Sequence, residues 1–395
     1  MINEKSLAWG RSKSCIRELA GYASQRKAEI GAENVYDFSI GNPSVPSPPE
    51  VNQAIRELLD SCNDMQLHGY TPAPGLPSLR KAIAEDLNRR YDANIVPEMV
   101  YVCCGAAAGL CSSIRALLCP GDEVIAFAPF FAEYTVFVEA AGGHLVSVPP
   151  MGDMQPDIDA LESTINEKTK LLIINTPNNP SGVLLTAESL NKIADVMRRA
   201  QEKYGHRIYL LSDEPYRELV FDGNPAKSVT RYYDNSIICY SFSKSLSLPG
   251  ERIGYVAVSS TMDERQDIFD AVCGAARGYG YVNAPSLMQR VVEKCMGLTS
   301  DISAYKRNRD LLYSGVTACG FECIKPDGAF YLFIKAPEAD AKAFSERAKK
   351  YELMLVPGDD FGVKGYVRAA YCVSQEMIAN SLPAFKKLAE EYGLC

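Results

Sequence analysis

The chain has 395 residues, of which 47% are hydrophobic and 23% charged, and its formal net charge is −8. This length predicts two domains rather than one simple core, and the composition is that of an ordinary globular protein. The acidic balance disfavours binding to nucleic acid or to an anionic membrane surface. The first residues show no secretory signal and no run has transmembrane length, so we expect a cytoplasmic protein.

Cysteine and histidine usage does not indicate a metal site. The chain has 13 cysteines without a C-x-x-C pair, and its 3 histidines are scattered along the sequence. We therefore expect no bound metal, and we interpret the cysteines as reduced, mostly buried thiols.

The N-terminal segment leads into a stiff, proline-rich loop at residues 41–49. We interpret this loop as a hinge or as a wall of a site. Seven short apolar runs then alternate with helical stretches, at residues 99–103, 123–127, 144–148, 170–175, 207–211, 237–240 and 253–258. Near-continuous apolar runs are typical of strands covered on both faces, so the pattern predicts an open α/β sheet with ligands beyond the carboxyl ends of its strands.

The pattern changes near residue 285. A long helical stretch begins at about residue 286 and runs past residue 308, and strand-like runs follow at residues 328–334 and 366–371. We expect a large domain at residues 46–285. A smaller α+β domain is expected from residues 1–45 together with 286–395, connected by this long helix.

The most informative segment surrounds Lys244, which follows the apolar run 237–240. Two serines, Ser241 and Ser243, precede the lysine closely, and Arg252 follows it. A lysine amine can form a Schiff base with an aldehyde, while hydroxyls and a guanidinium can bind a phosphate. The segment therefore predicts a site for pyridoxal 5′-phosphate (PLP).

Other polar residues follow the predicted strands. Asp213 could pair with the ring nitrogen of PLP, and Tyr216 and Asn179 could bond its ring oxygen. Each also has an ordinary interpretation, since Asp213 could cap a helix and the segment around Asn179 is rich in turn formers. Arg368 lies inside an apolar strand, where it needs either an internal ion pair or a substrate carboxylate.

Small and aromatic residues complete the candidate site. Gly105, Ala106 and Ala107 follow the run 99–103 and open a helix, which suits phosphate binding or merely close packing. One ring of the Phe130–Phe131 pair could stack on the cofactor, although core packing is the commoner fate of such rings.

With these motifs in order, the chain from residue 41 to residue 368 resembles the class I/II aminotransferases, which are PLP enzymes of fold type I. The resemblance implies a large domain with a mostly parallel seven-stranded sheet covered by helices, plus a smaller α+β domain. It implies an aminotransferase that moves an amino group between an L-amino acid and a 2-oxo acid by a ping-pong mechanism, through a Lys244 Schiff base.

The resemblance also implies a role for each matching residue. Catalysis is expected from Lys244, Asp213 and Tyr216. The cofactor is expected to contact Gly105, Ala106, Ala107, Phe131 (or else Phe130), Asn179, Ser241, Ser243 and Arg252. The substrate carboxylate is expected on Arg368, with help from Gly41 and Asn179. Tyr70 is expected to reach the phosphate in the partner subunit of a homodimer.

Two alternatives share some of these residues. A PLP-dependent carbon–sulfur β-lyase or a cyclopropane-forming synthase would use the same cofactor contacts. A transcriptional regulator would need an additional DNA-binding domain, for which the segment before the resemblance leaves no room. The resemblance places Arg277 within one position of the arginine that binds the distal carboxylate in some dicarboxylate-specific relatives, which implies an acidic donor. A solvated loop arginine is its ordinary interpretation.

Overall fold

The computed structural model describes residues 2–11, 14–222 and 227–394. In these parts of the chain the strands are β1 Tyr36–Asp37, β2 Val100–Cys103, β3 Glu123–Phe127, β4 His144–Val148, β5 Thr169–Asn175, β6 Tyr209–Asp213, β7 Ser236–Ser241, β8 Gly254–Val258, β9 Tyr331–Lys335, β10 Leu353–Met354, β11 Val356–Pro357 and β12 Tyr366–Ala370.

The α-helices surround these strands. They are α1 Glu4–Arg11, α2 Cys15–Ile30, α3 Pro49–Ser61, α4 Asp64–His68, α5 Pro77–Tyr91, α6 Ala106–Leu117, α7 Glu133–Ala140, α8 Ile158–Thr164, α9 Ala187–Tyr204, α10 Phe242–Ser245, α11 Arg265–Gly278, α12 Ser286–Lys294, α13 Ile302–Ala318, α14 Ala341–Ala348 and α15 Gln375–Glu391.

Seven strands form one sheet in the order β2-β8-β7-β6-β5-β3-β4. Strand β8 runs antiparallel to its neighbours β2 and β7, whereas the remaining pairs are parallel. The predicted mostly parallel, seven-stranded α/β sheet is therefore confirmed. Six strands alternating with helices place their carboxyl ends at one edge, where an open sheet binds its ligands.

Both faces of this sheet are covered by apolar cores. Along β5, Leu172 and Ile174 belong to one hydrophobic cluster, while Leu171 and Ile173 belong to another. Alternate residues of a strand point to opposite faces, so a continuous apolar run fills both layers. The edge strand β4 departs from the expectation, because His144 at its start is exposed.

A second, smaller sheet lies later in the chain. Its order is β11-β12-β9, with β12 antiparallel to both neighbours, while β1 pairs with β10 separately. The helices α13, α14 and α15 pack a further apolar core around it. The predicted α+β character of this part of the chain is thus confirmed.

The predicted long helix from residue 286 is wrong, because the chain folds there as α12 and α13 with a break between them. Asp301 caps α13 by accepting a hydrogen bond from the backbone N–H of Ala304. The backbone N–H of Ser300 donates to the carbonyl of Ser245 at 2.7 Å. The cap and this anchor fix a loop where the sequence pattern suggested a continuous helix.

Two features are absent from the described residues. None of their helices is long and apolar enough to cross a membrane. No group of histidine, cysteine or acidic side chains among them is arranged to hold a metal ion.

Candidate active site

A cavity of about 290 Å³ opens at the carboxyl ends of the central strands. Its walls come from both sheets and from the N-terminal segment. The predicted residues that line it are Gly41, Ala106, Ala107, Phe131, Asn179, Asp213, Tyr216, Ser241, Ser243, Lys244, Arg252 and Arg368.

Lys244 lies on the short helix α10, directly after β7. Its Nζ donates to the carbonyl of Gly41 at 2.7 Å and lies 5.3 Å from the centre of the Phe330 ring. Burial is the main cause that lowers the pKa of the amine to about 8, and the positive charges of Arg252 and Arg368 contribute to this value. At pH 7 roughly a tenth of this amine is therefore neutral and nucleophilic, far more than of an ordinary lysine.

Asp213 ends β6 and is buried, with 4% of its surface exposed. Its Oδ2 accepts a hydrogen bond of 2.7 Å from the hydroxyl of Tyr134, while its Oδ1 is buried without a partner. Burial raises the pKa of Asp213 to about 7, and the Tyr134 hydrogen bond opposes that rise. A buried carboxylate with one unpartnered oxygen requires a donor, preferably a cationic one.

Arg368 is also buried, at 2% exposure, and it pairs with neutral groups. Its Nη1 donates to Oδ1 of Asn179 at 3.1 Å and its Nη2 to the carbonyl of Ser39 at 2.6 Å. Among the described residues no carboxylate pairs with it, and its Nε has no hydrogen-bond partner. The predicted alternative of an internal ion pair is therefore wrong, and the guanidinium remains available to an anion from outside the chain.

Ser241, Ser243 and Arg252 gather at one end of the cavity. The two serine hydroxyls are 2.7 Å apart, and Arg252 donates to the carbonyls of Pro249 and Cys104. This leaves part of the guanidinium edge and one of the two hydroxyl hydrogens available for an acceptor. Such a set suits a phosphate.

The N-terminus of α6 faces the same end of the cavity. Gly105 precedes the helix without a side-chain cap, so the first backbone N–H groups lack that partner. Gly105 has φ of +83°, and a Cβ there would meet Nη2 of Arg252 at 2.9 Å. The positive φ favours glycine at this position, and the missing side chain leaves room for Arg252. Uncapped N–H groups at a helix start favour an anion.

Tyr216 follows β6 and is buried. Its hydroxyl lies 2.8 Å from the hydroxyl of Tyr331, which also lines the cavity. Burial raises the pKa of Tyr216 well above its ordinary value, so this phenol is protonated and can donate.

The remaining predicted residues are placed differently. Phe131 lines the cavity, whereas Phe130 packs into the core beside Tyr134. Tyr70 is 98% exposed, on the loop after α4, and does not line the cavity of its own chain. Arg277, near the end of α11, is exposed and outside that cavity as well.

Several lining residues were not predicted from the sequence. Asn175 donates to the backbone carbonyl of Asp213 at 2.8 Å and accepts from the backbone N–H of Asn179 at 2.7 Å. Tyr331 and Ile16 line the cavity, and Tyr134 contacts Asp213 from behind it. Asn175 could have been found, because it ends a buried apolar strand, whereas the others resemble ordinary core residues.

Three comparisons with known proteins agree with this geometry. The chain matches the family described as aminotransferase class I and II over residues 33–385. It is 31% identical to the aspartate/prephenate aminotransferase of Thermus thermophilus over 89% of this chain and 90% of that one. The fold matches the crystal structure of an amino transferase from Eubacterium rectale with a TM-score of 0.97 and 50% identity, covering 99% of each chain. It also matches the T. thermophilus aspartate aminotransferase with maleate with a TM-score of 0.87 and 26% identity, covering 98% of this chain and 99% of that one.

Proposed function

Because the chain belongs to the aminotransferase class I and II family, we propose that its cavity holds PLP, with Lys244 as the covalent attachment point. Transfer of an amino group between an amino acid and a 2-oxo acid is the activity of this family and of this chain. The family depends on PLP, which when bound supplies an aldehyde that condenses with amines and a ring that takes up the electron pair released at Cα.

The observation that carries the cofactor proposal is the unpartnered, buried Oδ1 of Asp213. A protonated pyridine nitrogen would give this oxygen a cationic donor and keep the carboxylate ionised. Tyr134 fixes the other oxygen and so sets the direction in which Asp213 points. The cost of burying this carboxylate is then offset by the ligand.

The other residues fit the remaining parts of PLP. We assign the phosphate to Ser241, Ser243, Arg252 and the N-terminus of α6, where Gly105, Ala106 and Ala107 lie. Phe131 would stack on the ring, while Asn179 and Tyr216 would contact the ring oxygen. The hydroxyl pair, the guanidinium and the uncapped helix at one end of the cavity support the phosphate assignment.

Lys244 would move the proton during transfer. Its free amine would take the proton from the substrate Cα as a base and give it back as an acid. Its pKa of about 8 suits both tasks near neutral pH. Two half-reactions through one site give ping-pong kinetics.

Arg368 would bind the α-carboxylate of the substrate, with Asn179 and the Gly41 backbone beside it. The absence of a carboxylate partner for Arg368 among the described residues supports this role. The relatives are named as aminotransferases, so a carbon–sulfur β-lyase is not favoured.

The enzyme would act as a homodimer. Tyr70 would reach the phosphate bound by the partner subunit, which its 98% exposure supports. Met65 on the neighbouring helix α4 is exposed as well, and large apolar side chains at a surface favour association. Buried thiols such as Cys103, Cys239 and Cys372 are free and support a reducing, cytoplasmic location.

The attachment point can be tested directly. Borohydride reduction of the PLP-loaded enzyme, followed by mass spectrometry, should find the cofactor on Lys244. Lys244→Ala should lower transamination by at least about 10⁴-fold, because both the covalent link and the proton carrier are lost. Lys170→Ala, on strand β5 of the same sheet and outside the cavity, serves as the control. Wild-type turnover in Lys244→Ala would refute the assignment.

We further propose an acidic amino acid as donor. Lys244, Arg252 and Arg368 are the cations that line the cavity in the described chain, and each already has a partner in the scheme above. A second substrate carboxylate therefore needs another cation, and Arg277 from the partner subunit is the candidate. The T. thermophilus relatives are named for aspartate, and one of them carries maleate.

A donor panel tests this proposal. Arg277→Ala should lower kcat/KM for aspartate by about 10- to 100-fold and leave that for alanine within about twofold, because only the dicarboxylate loses an ion pair. Arg265→Ala, at the exposed start of α11, is the matched control. Equal changes for both donors would remove Arg277 from the substrate site.

A further inference from the structure

Tyr331 lies in the cavity and has no role in the scheme above. It begins β9 and pairs with Ala370 of β12. Its ring centre lies 4.7 Å from Cζ of Arg368, and its hydroxyl lies 2.8 Å from that of Tyr216. The same hydroxyl packs against Gly41 so closely that a Cβ at position 41 has no room. One side chain thus contacts the proposed carboxylate site, the proposed ring-oxygen donor and the backbone to which Lys244 donates.

The hydroxyl pair imposes a direction on its hydrogens. Each phenol has one O–H and can donate it to one acceptor. If Tyr216 donates to Tyr331, it has no hydrogen left for the cofactor. If Tyr331 donates to Tyr216, the Tyr216 hydrogen is free to point into the cavity, and the bond it then makes is strengthened by the one it accepts.

We propose that Tyr331 is a positioning residue that donates to Tyr216 and thereby turns the Tyr216 hydroxyl toward the cofactor ring oxygen. This inference rests on the proposed binding of PLP at Lys244. Tyr331 acts through Tyr216 and through the Arg368 guanidinium, and it takes no proton from the substrate. The two functions are separable, because the hydroxyl serves Tyr216 and the ring serves Arg368.

The hydroxyl function predicts a spectroscopic shift. A hydrogen-bond donor to the ring oxygen withdraws electron density from that oxygen, which shares a proton with the nitrogen that links the cofactor to Lys244. Losing the donor therefore raises the pKa of that nitrogen. Tyr331→Phe should raise that pKa by about 0.5 pH unit, and Tyr216→Phe should raise it by more. The double variant should match Tyr216→Phe alone, because Tyr331 works only through Tyr216.

The surrounding charges are unchanged in these variants. The titratable groups facing the pair are Asp213 from β6, Arg368 from β12 and Cys372 after it, with Lys244 from α10 and Arg252 beside Lys244. A change in the pKa of the cofactor linkage in Tyr331→Phe therefore results from the loss of the hydroxyl.

The experiment is a pH titration of the absorbance of PLP-loaded wild type, Tyr331→Phe, Tyr216→Phe and the double variant. Tyr371→Phe is the control, because Tyr371 is buried nearby but lies outside the cavity, with its hydroxyl 3.5 Å from the carbonyl of Ala329. Thermal melting and bound PLP are measured on every variant. A wild-type titration in Tyr331→Phe, or additive shifts in the double variant, would overturn the proposal.

A kinetic comparison tests the ring. Tyr331→Leu should raise KM for the amino acid by about tenfold, whereas Tyr331→Phe should leave KM within about twofold, because phenylalanine keeps the aromatic contact with Arg368. Equal KM values in the two variants would overturn this part. If borohydride reduction attaches no cofactor to Lys244 of the wild type, the proposed function fails. If the cofactor is attached but Tyr331→Phe leaves the absorbance titration unchanged, only the role of Tyr331 is excluded.

Discussion

At the scale of single residues, the site depends on groups that are buried before any ligand binds. Asp213 and Arg368 are both nearly inaccessible, and each has one nitrogen or oxygen atom without a hydrogen-bond partner. Neither arrangement stabilises the fold by itself, since a buried charge without a full set of partners costs free energy. We infer that the cofactor and the substrate offset this cost, so that binding and stability are coupled in this enzyme.

Asp213 makes this coupling measurable through pH. Burial raises its pKa from 3.8 to about 7, so its contribution to stability is fully present below about pH 4 and is lost as pH rises through 7. A shift of this size corresponds to at most about 4 kcal/mol. Between pH 5 and pH 8, the free energy of unfolding of cofactor-free wild type should therefore fall more than that of Asp213→Asn, which cannot ionise.

Urea unfolding of the cofactor-free proteins across this pH range measures the difference. Asp263→Asn is the control, because Asp263 is 85% exposed beside Arg207 and its curve should run parallel to wild type. Parallel curves for wild type and Asp213→Asn would contradict the raised pKa. Loaded with PLP, wild type should no longer lose this stability, since a cationic ring nitrogen keeps the carboxylate ionised.

A site residue could be predicted from the sequence when its surroundings in the chain are unusual. A lysine after a buried strand, or an arginine inside one, is rare enough to attract attention, and Lys244 and Arg368 both line the cavity. Tyr134 and Tyr331 were missed because aromatic residues in a helix or strand usually fill a core. Only the three-dimensional contacts show that their hydroxyl groups meet Asp213 and Tyr216.

At the scale of elements, the strands were predictable because apolar runs leave few alternatives. The seven predicted runs correspond to β2–β8 with ends displaced by at most two residues. Strand direction was not predictable in the same way, since nothing within the run 253–258 distinguishes an antiparallel strand from a parallel one. The break between α12 and α13 was missed although Gly297, Thr299 and Asp301 offered turn and cap signals.

The whole molecule builds the site from distant segments. Asp213 ends a strand of the large sheet, and Lys244 lies on the short helix that follows another of its strands. Arg368 comes from the small sheet, and Gly41 from the N-terminal segment. We propose that the division into residues 46–285, and 1–45 with 286–395, marks two bodies that close on the substrate. Hydrogen exchange should show protection at residues 41–49 when maleate is added to the loaded enzyme, and unchanged exchange there would argue against closure.

The proposed homodimer permits a decisive test of which subunit supplies Tyr70. Lys244→Ala and Tyr70→Phe subunits are prepared separately, unfolded, mixed in equal amounts and refolded with limiting PLP. In a hybrid dimer with Tyr70 acting across the interface, one site receives both mutations and the other receives none. Because half of the dimers are hybrids with one intact site of two, activity should recover to about a quarter of wild type.

The same mixture gives a different answer if Tyr70 serves its own chain. Every site would then carry one mutation, and activity would stay at the level of the two parents. A mixture of Lys244→Ala with Arg252→Ala is the control, because Arg252 lines the same cavity as Lys244. That mixture should yield no intact site, because both residues serve the cavity of their own chain and each cavity of a hybrid therefore carries one mutation. In a second mixture, subunits that carry both Lys244→Ala and Arg252→Ala are combined with Tyr70→Phe subunits. Activity should recover here as it does without Arg252→Ala, because Tyr70 of the doubly mutated chain serves the intact cavity of its partner.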